Sequence, residues 1–165
     1  MLQPLLLPHD CASCRLCCSF DDSDLWELPL MTAKTAEQVA QLSPQSVLEP
    51  CGSGFIPVPR AQEWDEKGLY RCPALGENGC RLPREERPFE CLVWPFRVME
   101  RDGAYIICVS ELCAPICRHP RERLLEKLRG GLAERMFRYA QAYPASVKPF
   151  AEGYTVLMHE SGASV

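Results

Sequence analysis

The chain has 165 residues, of which 47% are hydrophobic and 24% charged, so its composition is that of a globular protein rather than a disordered one. This length predicts a single domain spanning residues 1–165. The formal net charge of −4 argues against a nucleic-acid-binding protein held mainly by phosphate contacts.

The first ten residues, MLQPLLLPHD, do not have the pattern of a signal peptide. They lack a basic region, and Pro4 and Pro8 bracket a short apolar run. No stretch approaches the roughly 18 apolar residues of a membrane span. We therefore expect a cytoplasmic protein with neither a membrane nor a nucleic-acid partner.

Four of the eleven cysteines lie in the segment CASCRLCC, residues 11–18. Structural disulfides are rare in a reducing compartment, so dense cysteines favour metal binding there. Cys11, Cys14 and Cys17 have C-x2-C-x2-C spacing, which lets a tight loop turn three thiolates toward one centre. This is the first half of the bacterial ferredoxin pattern, which continues with a cysteine before proline.

Two segments follow the first cysteine cluster. The stretch TAKTAEQVAQLSP predicts a short helix, with Thr35 and Gln38 at capping-box spacing and Pro44 as a stop. Residues 50–60, PCGSGFIPVPR, predict a loop or a short edge strand, because prolines interrupt sheet ladders.

A second cysteine group occupies residues 72–96, CPALGENGCRLPREERPFECLVWPF. Its Cys72-Pro73 pair supplies the cysteine before proline that the first cluster lacks, which favours a 4Fe–4S cluster. Zinc can use the same residue types: Cys11 and Cys14 with Cys72 and Cys80 would form a four-thiolate site. Both metals remain open at this stage.

Two further residues of this segment suit a thiolate site. Gly79, directly before Cys80, is expected to supply a positive φ beside the metal. Arg87 lies four residues before Cys91, where its guanidinium group would offset the thiolate charge and lower thiol pKa values.

The segment WPFRVMERDGAYIICV predicts a β-hairpin turning at Asp102-Gly103. Cys108 lies in its second strand, where we expect burial as a small hydrophobic residue. Cys113 follows that strand in a turn and is a candidate ligand.

From Pro120 onward the pattern is helical, with a break or kink expected at Gly130-Gly131. Residues 154–158, YTVLM, predict a last strand. We therefore divide the domain into a cysteine-cluster core of about 9–118 and a helical extension of about 119–165.

The motifs CASCRLCC, CP…GC and RPFEC resemble the YkgJ-type cysteine-cluster family, whose members are described as zinc- or iron-chelating domains and sometimes as iron–sulfur oxidoreductases. The resemblance covers roughly residues 9–96. The chain departs from the family pattern in having no glycine before the cysteine pair and a longer segment between Cys80 and Arg87. The resemblance implies the following metal ligands: Cys11, Cys14, Cys17, Cys18, Cys72, Cys80 and Cys91.

The sequence thus predicts a small, loop-rich α+β domain stabilised by metal, with short helices, a β-hairpin and a C-terminal helical segment. Its predicted function is to hold an iron–sulfur cluster, 4Fe–4S being favoured, for electron transfer or redox sensing with a protein redox partner. The alternative is a structural Zn²⁺ module acting in protein–protein interaction. An oxidoreductase activity is left open, since the chain contains no dedicated catalytic motif.

Overall fold

The structure, a computed structural model, describes Leu2, Leu5, Leu6, Asp10 and residues 14–162. The chain divides into two compact units. We call Pro8–Leu92 the N-terminal unit, and Met1–Leu7 with Val93–Val165 the C-terminal unit. The boundary near residue 93 differs from the division expected at about 118, because the hairpin belongs with the helical tail.

The N-terminal unit is built from short elements around two small apolar clusters. One cluster contains Met31, Val39 and Leu82, and the other contains Phe20 and Tyr70. The strands form two-stranded antiparallel sheets, β1 with β4, β2 with β3 and β5 with β6. The elements are β1 (Ser19–Phe20), α1 (Ala33–Leu42), β2 (Val47–Cys51), β3 (Gly54–Val58), β4 (Tyr70–Arg71), β5 (Leu75–Gly76), β6 (Gly79–Cys80) and α2 (Phe89–Val93), with 3₁₀ turns at Leu16–Cys18, Leu25–Glu27, Ala61–Glu63 and Arg84–Glu86.

Helix α1 confirms the helix predicted in TAKTAEQVAQLSP, and it ends two residues before Pro44. The predicted cap was wrong. Thr32 is the N-cap residue, and its hydroxyl accepts a hydrogen bond from the Thr35 backbone N–H at 3.2 Å. A capping residue needs extended backbone, which Thr32 has at φ −66° and ψ 162°, whereas Thr35 already lies within the helix.

Residues 47–58 form a hairpin where the sequence indicated a loop or a single edge strand. Cys51 pairs with Gly54 across a two-residue turn, and Gly52 has a φ of 56°. Pro50 and Pro57 both lie within the strands. They are tolerated because a two-stranded sheet consists only of edges, so a strand can face away from the ladder where an N–H is missing.

The C-terminal unit contains a four-stranded sheet in the order β10-β8-β7-β9. Its central hairpin turns at Asp102-Gly103, as predicted, and Arg101 pairs directly with Ala104. Both turn residues have positive φ, 54° and 76°, which is the requirement of a type I′ turn. The strands are β7 (Phe96–Arg101), β8 (Ala104–Ser110), β9 (Lys148–Pro149) and β10 (Tyr154–His159).

The predicted tail helix and its break are confirmed. Gly131 has a φ of 96° and interrupts the helix within Leu128–Leu132, a segment with π-type hydrogen bonding. Leu124, Leu128 and Met136 are buried as their spacing indicated. The helices are α3 (Ala114–Cys117), α4 (Arg121–Lys127) and α5 (Ala133–Ala142), followed by a 3₁₀ turn at Pro144–Ser146.

The combination of helices with several small, mostly antiparallel sheets and many loops is the α+β, loop-rich fold that the sequence predicted. No helix within the described residues is long and apolar enough to cross a membrane.

Candidate metal centre

The first thiol segment is a tight turn that begins in left-handed backbone. Arg15 has φ 56° and ψ 5°, a conformation that glycine adopts more readily than arginine. A 3₁₀ turn, Leu16–Cys18, follows directly. Cys14 is exposed, while Cys17 and Cys18 are partly buried. The turn therefore presents these three thiols from one short stretch of backbone.

A backbone pairing brings the second thiol segment against the first. The Cys72 N–H donates to the Cys18 carbonyl at 2.9 Å, and Ser19 pairs with Arg71 in the β1–β4 ladder. Cys18 and Cys72, one from each of the two cysteine segments, are therefore adjacent at the end of one ladder.

Cys72 precedes the β5–β6 hairpin, and Cys80 lies in β6, where it pairs with Leu75. Gly79 has a φ of 99°, which confirms the positive φ predicted for this position. Cys72 packs against both apolar clusters of the N-terminal unit.

Backbone N–H groups are directed at the sulfurs of this hairpin. The Ala74 and Leu75 N–H groups are hydrogen-bonded to the Cys72 sulfur, and the Leu82 N–H group is hydrogen-bonded to the Cys80 sulfur. Burial raises the pKa of Cys72 to about 12 and also raises the pKa of Cys80, and the N–H groups partly oppose both shifts. A sulfur that accepts backbone N–H groups is prepared for the thiolate form, which is the form that binds metal.

Arg87 lies beside these thiols, where the sequence placed it. Its Nε donates to the Leu82 carbonyl at 3.1 Å and its Nη2 to the Cys80 carbonyl at 3.4 Å. These bonds fix the guanidinium group, whose positive charge lowers the pKa of Cys18 and of Cys80 against the opposing effect of burial.

Cys91 lies in α2, next to Glu90. The buried Glu90 carboxylate accepts a hydrogen bond from the Leu30 N–H at 2.7 Å, which ties this helix to the rest of the unit. Cys91 is accessible to solvent, yet burial raises its pKa well above the ordinary value.

Of the vicinal pair, Cys18 is the thiol whose charge acts on the cysteines of the other segments. A hydrogen bond with the Cys17 thiol, together with burial, raises the pKa of Cys18. The negative charge of Cys18 in turn raises the pKa values of Cys72, Cys80 and Cys91. Such mutual electrostatic influence requires the thiols to lie near one another.

A cavity of about 560 Å³ opens beside the cluster. Cys72 and Tyr70 contribute to its wall, together with Arg71, Arg81 and Ser43. Cys72 thus borders the cavity and also packs against both apolar clusters.

Two candidate ligands remain to be accounted for, Cys11 and Cys113. Cys11 lies outside the described residues. Cys113 belongs to the C-terminal unit, where it is buried with 4% exposure. Its role as a ligand stays a prediction. Cys108 is fully buried in β8, as expected of a small hydrophobic residue.

The described residues, which do not include Cys11, contain no group of three or more His, Cys, Asp or Glu side chains that could hold a metal ion. The chemistry of the donor set nevertheless fits a thiolate-bound metal. The candidate donors are all cysteines, backbone N–H groups are directed at two of the sulfurs, and Arg87 acts on Cys18 and Cys80.

Sequence reasoning missed two residues that hold the segments together, Ser19 and Glu90. Their contacts join positions 52 and 60 residues apart, to Arg71 and to Leu30 respectively. No local sequence signal marks either residue, since serine and glutamate are ordinary surface residue types.

Comparison with known proteins found no match: no protein-family model, no curated protein and no solved structure is similar to this chain.

Proposed function

We propose that the cysteines of the N-terminal unit hold a 4Fe–4S cluster that serves electron transfer or redox sensing. The observation that supports the proposal is that cysteines of three separate segments act on one another electrostatically, with Arg87 acting on Cys18 and Cys80 and backbone N–H groups directed at Cys72 and Cys80. The ligands would be drawn from Cys14, Cys17, Cys18, Cys72, Cys80 and Cys91, together with the predicted Cys11.

The protein's own groups would tune such a centre in three ways. Backbone N–H groups and Arg87 stabilise thiolate charge. The apolar clusters that pack on Cys72 exclude water from one side of it. The cavity that Cys72 borders leaves it approachable from solvent. When bound, the cluster would supply one-electron redox chemistry.

A second candidate function is a structural zinc site. Cys72 precedes a short hairpin and Cys80 lies within it, with backbone N–H groups directed at both sulfurs, an arrangement that also suits a tetrahedral four-thiolate zinc site. In that case the metal would hold the fold and the protein would act through its surface.

Anaerobic purification separates the two candidates. With a 4Fe–4S cluster we expect brown protein that contains iron and acid-labile sulfide and has a broad visible absorbance that dithionite bleaches. Colourless protein carrying stoichiometric zinc would contradict the iron–sulfur proposal and support the alternative.

A further inference from the structure

One hydroxyl group connects the two thiol segments. The Ser19 Oγ–H donates to the Arg15 carbonyl at 3.0 Å, and the Ser19 oxygen accepts a hydrogen bond from Arg71 Nη1 at 2.6 Å. Ser19 follows Cys18 directly, and Arg71 precedes Cys72. The donor and the acceptor function of this hydroxyl are therefore both used next to candidate ligands.

Arg71 is held in place from the opposite side. Its Nη2 and Nε both donate to Asp65 Oδ2, at 3.0 and 3.3 Å. Asp65 Oδ1 accepts the backbone N–H groups of Lys67 and Leu69 at 2.9 and 3.0 Å. The carboxylate is thus fixed by the loop before β4 and leaves Nη1 directed at Ser19.

The turn that carries the first thiols needs such support. Arg15 is in left-handed backbone, which disfavours a residue with a β-carbon. Its carbonyl accepts hydrogen bonds from Ser19 and from the Cys18 N–H at 3.1 Å, and its side chain donates to the Glu77 carbonyl in the β5–β6 turn. The conformation that presents Cys14, Cys17 and Cys18 therefore depends on contacts made around Ser19.

We infer that Ser19 is a positioning residue for the thiol cluster. It fixes the Cys14–Cys18 turn against Arg71, so that Cys18 and Cys72 stay together through protein contacts alone. This inference rests on the proposed function only where it concerns metal retention; its structural part holds for the protein without metal.

The test is thiol cross-linking of the full-length chain after chelation and reduction, with dibromobimane as a short bifunctional probe. Trypsin cleaves after Arg15, Lys34, Arg71 and Arg81, so Cys17 and Cys18 leave in residues 16–34, and Cys72 and Cys80 in residues 72–81. Mass spectrometry then measures how much of these two peptides is linked. We expect the linked pair in the wild type and a fall of about fivefold or more in Ser19→Ala, since each lost hydrogen bond costs roughly fivefold.

Two variants serve as controls. Ser23→Ala makes the same substitution four residues away, where the hydroxyl bonds only within its own turn to Asp21 at 2.6 Å, and it should cross-link as the wild type does. Ser19→Thr keeps a hydroxyl and should recover most of the yield. Wild-type yield in Ser19→Ala, or an equal loss in Ser19→Thr and Ser19→Ala, would overturn the inference.

Arg71→Lys keeps the result interpretable if Ser19→Ala fails to fold. This variant retains the positive charge and the trypsin site but loses the forked contact with Asp65 and Ser19, and it should also lower the yield of linked peptide. An unchanged yield in folded Arg71→Lys would contradict the role of the contact.

Metal retention separates this inference from the proposed function. From metal-loaded protein, Ser19→Ala should release metal to a chelator about fivefold or more faster than wild type. If the wild type carries neither iron nor zinc, the proposed function fails, while the cross-linking result still decides the positioning role of Ser19.

Discussion

The thiols of the adjacent residues Cys17 and Cys18 have different surroundings. Cys18 has its carbonyl bonded to Cys72, and its charge acts on Cys72, Cys80 and Cys91. Cys17 influences its neighbour Cys18 directly. The Cys17 thiol is hydrogen-bonded to the Cys18 thiol, and of the two it is Cys18 whose charge acts on the cysteines of the other segments.

We therefore predict that Cys18→Ser loses more bound metal than Cys17→Ser. The measurement is metal per chain in the two variants, purified side by side without oxygen. Greater loss in Cys17→Ser would show that the pair is assigned the wrong way round.

Asp24 gives a prediction about pH. Burial, followed by the charge of Asp21, raises the pKa of the Asp24 carboxyl from 3.8 to about 6, and among the described residues its Oδ1 has no hydrogen-bond partner. The folded state then binds a proton that the unfolded state does not between those two pH values. Stability should fall as pH rises through this window and stay lower above it.

Removing the charge should reverse that loss. At neutral pH, Asp24→Asn should be more stable than wild type by about 1 kcal/mol, a figure reduced for partial exposure, and the gain should vanish below the ordinary carboxyl pKa of 3.8. Urea unfolding of the wild type and of Asp24→Asn, from neutral pH to below pH 3.8, measures this difference in the free energy of unfolding. The exposed neighbour variant Asp22→Asn is the control, and a gain that is the same at every pH would contradict the explanation.

The backbone conformation at Gly130 and Gly131 determines how replacing either glycine would change the stability of the protein. Gly131 has a φ of 96°, whereas Gly130 has a φ of −71°, and an added β-carbon would meet no atom within 4 Å at either position. The difference between them is therefore conformational rather than steric crowding by neighbours.

Gly131→Ala should destabilise the protein by about 1 kcal/mol, because left-handed backbone penalises a β-carbon. Gly130→Ala should be close to neutral. Thermal or urea unfolding measures both variants, and equal effects would show that the kink is not required for the packing of α4 and α5.

Local chemistry decided which elements the sequence could predict. The hairpin at Asp102-Gly103 was predictable because a type I′ turn needs two residues that tolerate positive φ. The hairpin of β2 and β3 was missed because Pro50 and Pro57 indicate edge strands without revealing their partner.

The same division holds for the site. The positive φ of Gly79 and the position of Arg87 beside the thiols could be predicted, because each residue is close to a cysteine in the sequence. The contact between Ser19 and Arg71 did not, because it depends on a pairing between segments 52 residues apart. Long-range pairing of this kind is set by the packing of the whole unit.

At the scale of the molecule, the cysteines fall into two groups with different surroundings. The thiols that influence one another lie in the N-terminal unit. In the C-terminal unit, Cys108 is fully excluded from solvent within β8. Burial raises the pKa of Cys72 and of Cys108 alike to about 12, so acidity alone does not distinguish them. The difference is that other thiols act on Cys72, whereas burial is the main influence on Cys108.

The most direct test of the account compares metal content in Cys72→Ala and Cys108→Ala, both purified without oxygen beside the wild type. Each change removes one thiol whose pKa is raised by burial and leaves a small apolar side chain. We predict that Cys72→Ala loses most of its metal and that Cys108→Ala keeps it. Wild-type metal content in Cys72→Ala would contradict the placement of the metal centre in the N-terminal unit.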